Sequence, residues 1–173
     1  LIMTNFTFLP ENAVSTDVWN TEPDLLKAWR TLPRNVMANT SELTRDEKAL
    51  IAAYYASLKG FGDAETGQFP LAEALGLDVK VDQSLFQQVL NDPETAAVDQ
   101  KLVPLLLYVR KLALESYKLL QRDADKVFNA GWSERAFTDA IIVCATVTFF
   151  VSVMIGHGVT ATKLEDFGGT AAA

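Results

Sequence analysis

Leu43-Thr44-Arg45-Asp46-Glu47-Lys48-Ala49-Leu50-Ile51-Ala52-Ala53-Tyr54-Tyr55-Ala56-Ser57-Leu58-Lys59-Gly60-Phe61-Gly62 spells out a helix with both of its ends. Thr44 offers an N-cap hydroxyl and Glu47, three residues on, a carboxylate that returns to the cap backbone, which together make a capping box. Asp46 and Glu47 also stand where the helix dipole favours negative charge. The run Ala49–Leu58 contains neither Pro nor Gly, and Gly60 and Gly62 then break or distort it. Successive side chains on a helix point about 100° apart, so one of Tyr54 and Tyr55 is expected to face inward.

Helical signals recur on both sides of this segment. In Asp24–Ala38 the residues Leu25, Leu26, Trp29, Leu32, Val36 and Met37 fall three and four apart, which predicts an inward face, with a kink at Pro33. A short helix is expected around Pro70–Leu75, ended by Gly76. Asp82 or Ser84 can cap another through Leu90, before the turn Asn91-Asp92-Pro93. Ala96–Tyr117 reads as one helix, with Pro104 tolerated early or kinking it. Arg122–Asn129 ends at Ala130-Gly131, and Ser133 caps a last helix to about Ile155. No run shows the period-two alternation of a strand, so the fold class is all-α, a bundle of about seven helices. Residues 1–20 show no helical period and read as an arm over a domain at 21–160, and the glycine- and alanine-rich residues 161–173 read as a flexible tail.

A chain of 173 residues with 49% apolar content can bury one core without disulfides or metal. Its formal charge of −7 repels nucleic acid and anionic lipid alike, so neither is an expected partner. One cysteine and one histidine leave no disulfide, no Cys-x-x-Cys pair and no Cys/His zinc site, and no metal or cofactor is expected. No phosphate-binding glycine loop or nucleophile elbow is present. Ala140–Ile155, after the interruption at Asp139, counts 16 residues against the roughly 20 needed to span a bilayer, so a buried helix is expected there. Leu1-Ile2-Met3 carries no basic run before an apolar segment, and a cytoplasmic protein is expected.

Leu43–Lys48, Ala56-Ser57-Leu58-Lys59-Gly60, Leu71-Ala72-Glu73-Ala74-Leu75-Gly76, Phe128-Asn129-Ala130-Gly131-Trp132-Ser133-Glu134 with Asp139-Ala140, and Gly156-His157-Gly158-Val159 follow one another in an order that resembles the alkylhydroperoxidase D (AhpD) and carboxymuconolactone decarboxylase superfamily. The resemblance covers residues 20–160 and implies that superfamily's all-helical AhpD-like fold and a homo-oligomer, commonly a trimer or hexamer. The peroxidase branch carries Cys-x-x-Cys-x-x-x-His with a glutamate twelve residues before the first cysteine. The resemblance puts Phe61 and Ala64 at the cysteines, Gln68 at the histidine and Ala49 at the glutamate. Peroxide reduction needs a low-pKa thiolate, a resolving thiol and proton carriers, and these four side chains supply none. Near the end of the last helix, Ser152 and Ile155 stand where many relatives carry arginine and aspartate. A cavity bounded by Phe61, Val151 and Ile155 would suit a small apolar ligand, unless side chains fill it.

The remaining candidates are few. Cys144 lies in the apolar run Ile141–Val147, where a thiol acts as a small hydrophobe. His157 is thirteen residues further along, roughly 20 Å at helical rise, and suits a helix C-terminus. Asp63 and Glu65, on the glycine-flanked loop, and Tyr54 are the weak catalytic candidates; Tyr55, Glu115 and Tyr117 are further polar groups. Trp19, Trp29 and Trp132 read as packing anchors. The expectation is a non-redox oligomer that binds a small molecule or serves as scaffold. The alternatives are a thiol-independent decarboxylase- or isomerase-like enzyme and, last, an alkyl hydroperoxidase. Self-association is also expected from the mean hydropathy of +0.12 and the apolar final helix.

Overall fold

The computed structural model describes residues 6–11, 13, 15–38, 40–61 and 81–159; the expected helix around Pro70–Leu75 and the tail 161–173 fall outside them. Among the described residues there are seven α-helices and no strand. They are α1 (Ser15–Asn20), α2 (Pro23–Ala38), α3 (Arg45–Leu58), α4 (Gln83–Asn91), α5 (Leu102–Glu115), α6 (Gln121–Asn129) and α7 (Glu134–Gly156), with a 3₁₀ turn at Ser116–Lys118. The all-α expectation holds. α3 is the central element: it packs against α2, α4, α5 and α7, and its residues from Lys48 to Ala56 are all buried.

The caps explain where the helices begin. Thr44 accepts from the Glu47 amide at 3.2 Å while Glu47 Oε2 accepts from the Thr44 amide at 2.7 Å, the reciprocal capping box. Asp82, rather than Ser84, caps α4 through the Leu85 amide at 2.8 Å. Ser133 caps α7 through the Ala136 amide at 3.2 Å.

α3, α6 and α7 share one ending. Gly60, Gly131 and Gly158 have φ of 72°, 93° and 76°, which a residue with a Cβ adopts only under strain. The amide after each glycine reaches back five residues, from Phe61 to Ala56 O at 2.9 Å, Trp132 to Val127 O at 3.4 Å and Val159 to Met154 O at 2.9 Å. These are Schellman motifs, and in each the residue after the glycine is apolar and buried. Each helix end is thereby pinned to the core. Trp132 is held further by its indole N–H, which donates to the Lys101 carbonyl at 2.7 Å, with the Lys101 ammonium 4.1 Å from the ring centroid.

Four expectations need correction. The arm contains the six-residue α1, too short for a period to register in sequence, and Leu9, Ala13 and Val18 are buried in the main core. Leu25 and Leu32 are exposed rather than inward-facing. At 100° per residue they lie about 120–140° around α2 from Met37, which marks the buried face. The segment expected as one helix over Ala96–Tyr117 is helical only from Leu102 to Glu115, because local turns occupy the start, with Asp99 Oδ1 accepting from the Lys101 amide at 2.8 Å. Pro104 therefore sits in the first turn, where amides have no intrahelical partner to lose. Finally, α7 has 23 residues and a hydropathy of 2.1 over 18 of them, so by length and composition it could cross a membrane. Half of that window is nevertheless buried inside the fold, against α2, α3 and α5.

Candidate functional site

α3 and α7 carry most of the described residues to which the sequence points. Ala49 is buried in the first turns of α3, whereas Phe61 follows its C-cap, so the two lie toward opposite ends of the helix, where Ala49 and Leu58 are about 13 Å apart along the axis at 1.5 Å per residue. Phe61 is buried with its ring edge-on to Phe150 of α7, centroids 5.7 Å apart and planes at 80°. Val151 is buried beside Phe150, but Ile155, one turn on, is 51% exposed. Ala64 and Gln68, with the loop acids Asp63 and Glu65, fall outside the described residues.

Cys144 is buried, and loss of hydration pushes its thiol far above the ordinary cysteine range, the condition of an inert sulfur. His157 is the C-cap of α7, and its Nδ1 lies 2.7 Å from the Val153 carbonyl while its ring meets that of Phe6 of the arm at 4.8 Å between centroids, tilted by 36°. Glu115 forms an exposed ion pair with Lys118, and the neighbouring Tyr117 is exposed.

The adjacent tyrosines are both buried but face different neighbours. The Tyr55 hydroxyl lies 2.9 Å from the Thr148 hydroxyl, which is itself 2.9 Å from the Cys144 carbonyl, so it joins α3 to α7. Burial raises the Tyr55 pKa, and the Thr148 hydrogen bond offsets part of that rise. Tyr54 instead interacts electrostatically with Arg110 of α5 and with Asp92, the C-cap of α4. Its side chain is 0% exposed. Burial pushes its pKa up to about 12; the Arg110 guanidinium opposes the shift by its charge and by a hydrogen bond, and the Asp92 carboxylate adds to it. At neutral pH Tyr54 is therefore a protonated phenol able to donate one hydrogen bond.

A second polar pair was not singled out by sequence reasoning. Lys48 of α3 is 0% exposed and donates to the Val36 carbonyl at 3.2 Å, with its ammonium 3.9 Å from Asp139 Oδ2 of α7. The available signals were a lysine leading directly into eight apolar and aromatic residues, and a single acid inside an apolar helix. Arg110 gave no such signal, because only the packing of α5 on α3 brings it to Tyr54. No group of three or more His, Cys, Asp or Glu side chains among the described residues could hold a metal ion.

No family model and no curated protein matches the chain. Among solved structures it is similar to one described as an alkylhydroperoxidase AhpD core, an uncharacterized peroxidase-related protein from Ralstonia eutropha JMP134. The two are 15% identical, the similarity covers 91% of each chain, and the TM-score is 0.60. At that identity the likeness speaks for architecture alone, and it agrees with the helix order described above: the chain has the AhpD-like all-helical fold.

Proposed function

We propose that this chain is an AhpD-like protein that has left thiol redox chemistry, and that it acts as a homo-oligomeric scaffold or as a binder of small molecules. The observation that carries this reading is its sulfur: one cysteine in the whole sequence, buried in α7 with a thiol held un-ionised. A peroxidase cycle needs one thiolate to become a sulfenic acid and a second thiol to release water from it. Phe61, which the resemblance sets at the first of those thiols, is instead packed edge-on against Phe150. The test is turnover of an alkyl hydroperoxide with a dithiol reductant by metal-free protein. The expected rate equals that of Cys144→Ser and of buffer; robust turnover that vanishes in Cys144→Ser overturns the reading.

Self-association is supported by the outer face of α7. Ile141, Ile142, Phe149 and Ile155 are exposed along it, and no charged residue occurs from Ala140 to Gly156. A helix buried on one side and apolar on the other fits an inter-subunit contact, in a trimer or hexamer, better than a bilayer, because Asp139 and Lys48 tie it into the core. Light scattering is expected to give a multiple of 19.0 kDa that falls on Phe149→Asp. A monomer at micromolar concentration refutes it.

A further inference from the structure

On the outer side of α7 the exposed residues Thr138, Ile142, Ala145, Phe149, Ser152 and Gly156 follow one another at intervals of four, three, four, three and four. At about 100° per residue they fall within an arc of about 80°, the narrow seam of a helix that pairs with another helix. No charged residue interrupts it from Ala140 to Gly156. Size varies along it in a regular way: Ile142 and Phe149, seven residues apart, are large, whereas Ala145 and Ser152, also seven apart, are small. Gly156 adds an observation of another kind. Its φ is not positive, and a Cβ built on it meets nothing within 4 Å. Neither the backbone nor a described neighbour within the chain asks for glycine there, although glycine is among the poorest helix formers.

We propose that this seam pairs with the same seam of a second copy of the chain, antiparallel about a two-fold axis at the level of Val147. In that register Ile142 meets the partner's Ser152 and Phe149 meets the partner's Ala145, so each of these layers joins a large side chain to a small one. At both ends Thr138 stands over the partner's Gly156, where no Cβ is in the way. A parallel pair would instead set Phe149 on the partner's Phe149 and Ala145 on the partner's Ala145, giving overfilled and empty layers in turn. It would also align two helix dipoles that the antiparallel pair opposes. This pairing rests on the self-association proposed above and specifies it, because a two-fold contact builds a dimer, or a hexamer of three such pairs, but no trimer.

The test uses the full chain. Ala145→Phe sets ring against ring, and Phe149→Ala leaves a void in the same layer. Each is expected to weaken self-association about tenfold or more, read from the concentration dependence of the light-scattering mass. Both residues are exposed, so circular dichroism of the two variants should match the wild type. An equimolar mixture of the variants should recover the wild-type mass, because each copy then supplies what the other lacks. Direction is read from nitroxide labels at Glu134→Cys in a Cys144→Ala background. Antiparallel pairing sets the two labelled positions about 39 Å apart along the helix axes, and parallel pairing sets them about 10 Å apart. Unchanged association of Ala145→Phe, a mixture that stays dissociated, or a label separation near 10 Å overturns this pairing while self-association itself stands. A wild-type monomer at micromolar concentration, including one taken up by phosphatidylcholine vesicles instead, overturns both.

Discussion

Replacing Lys48 by methionine should be among the most damaging single changes in the described core. The methionine stem fills nearly the same volume, so the experiment isolates the charge. Lys48 is 0% exposed, its ammonium donates to the Val36 carbonyl at 3.2 Å, and it sits 3.9 Å from the Asp139 carboxylate, which is itself 7% exposed. Removing one member of a buried pair leaves the other charge in a poorly hydrated place, at a cost of about 3–5 kcal/mol. Removing both removes that cost, and well-packed apolar replacements of a buried pair are often neutral or stabilising. Lys48→Met and Asp139→Leu should therefore each lower the urea midpoint strongly, while the double variant recovers most of the loss. Equilibrium urea unfolding of all four proteins gives the coupling as a double-mutant cycle. A Lys48→Met cost within about 1 kcal/mol of zero, far below that expected of a broken buried pair, refutes the reasoning, as does a double variant as unstable as the sum of the singles.

Gly60→Ala should cost roughly 1–2 kcal/mol, because φ is +72° and nothing lies within 4 Å of the added Cβ, so the penalty is wholly backbone strain; Gly60→Asn should cost less by the same unfolding assay. Cys144 should resist alkylation by iodoacetamide in the native protein and react once urea unfolds it, as mass spectrometry would record. Tyr54 holds its proton to about pH 12 when folded and to about 10 when unfolded, so its contribution to stability is whole below pH 10 and is lost as pH rises toward 12. Alkaline melts should show this decline in the wild type and a shallower one in Tyr54→Phe, and identical declines would contradict the assigned shift.

What could be read in the chain was local. Thr44 with Glu47, Asp82, Ser133 and the glycines 60, 131 and 158 act within five residues of themselves, and these caps set the ends of α3, α4, α6 and α7 close to the expected positions. What could not be read depends on which faces meet. The spacing in α2 showed that an apolar face exists but did not distinguish the Met37 side from the Leu25 and Leu32 side. The pairing of Lys48 with Asp139 spans 91 residues, and that of Tyr54 with Arg110 spans 56, so no window of sequence contains either. The expectation of a helix too short to span a membrane failed for a different reason, although Ser133 and Ile155 had marked the ends of α7. Counting apolar residues only from Ala140 left out Glu134–Asp139, which are helical too.

Phe61 serves the packing of this core in two ways. It is the residue that follows the helix-ending glycine of α3, and a buried apolar side chain there is part of how the Schellman ending holds. Its ring also closes the gap to Phe150. A small thiol-bearing side chain at this position would open a void of the kind that costs about 3–5 kcal/mol for Phe→Ala, and would loosen the end of the central helix as well. Phe61→Cys alone therefore removes stability before it adds reactivity, and with Ala64 rather than a cysteine two residues beyond Gly62 it offers no resolving thiol there. Thiol chemistry at this position would need several coupled changes at once. For a core built this way, fixing the end of α3 and carrying a reactive thiol are competing demands on one residue, and Phe61 meets the first.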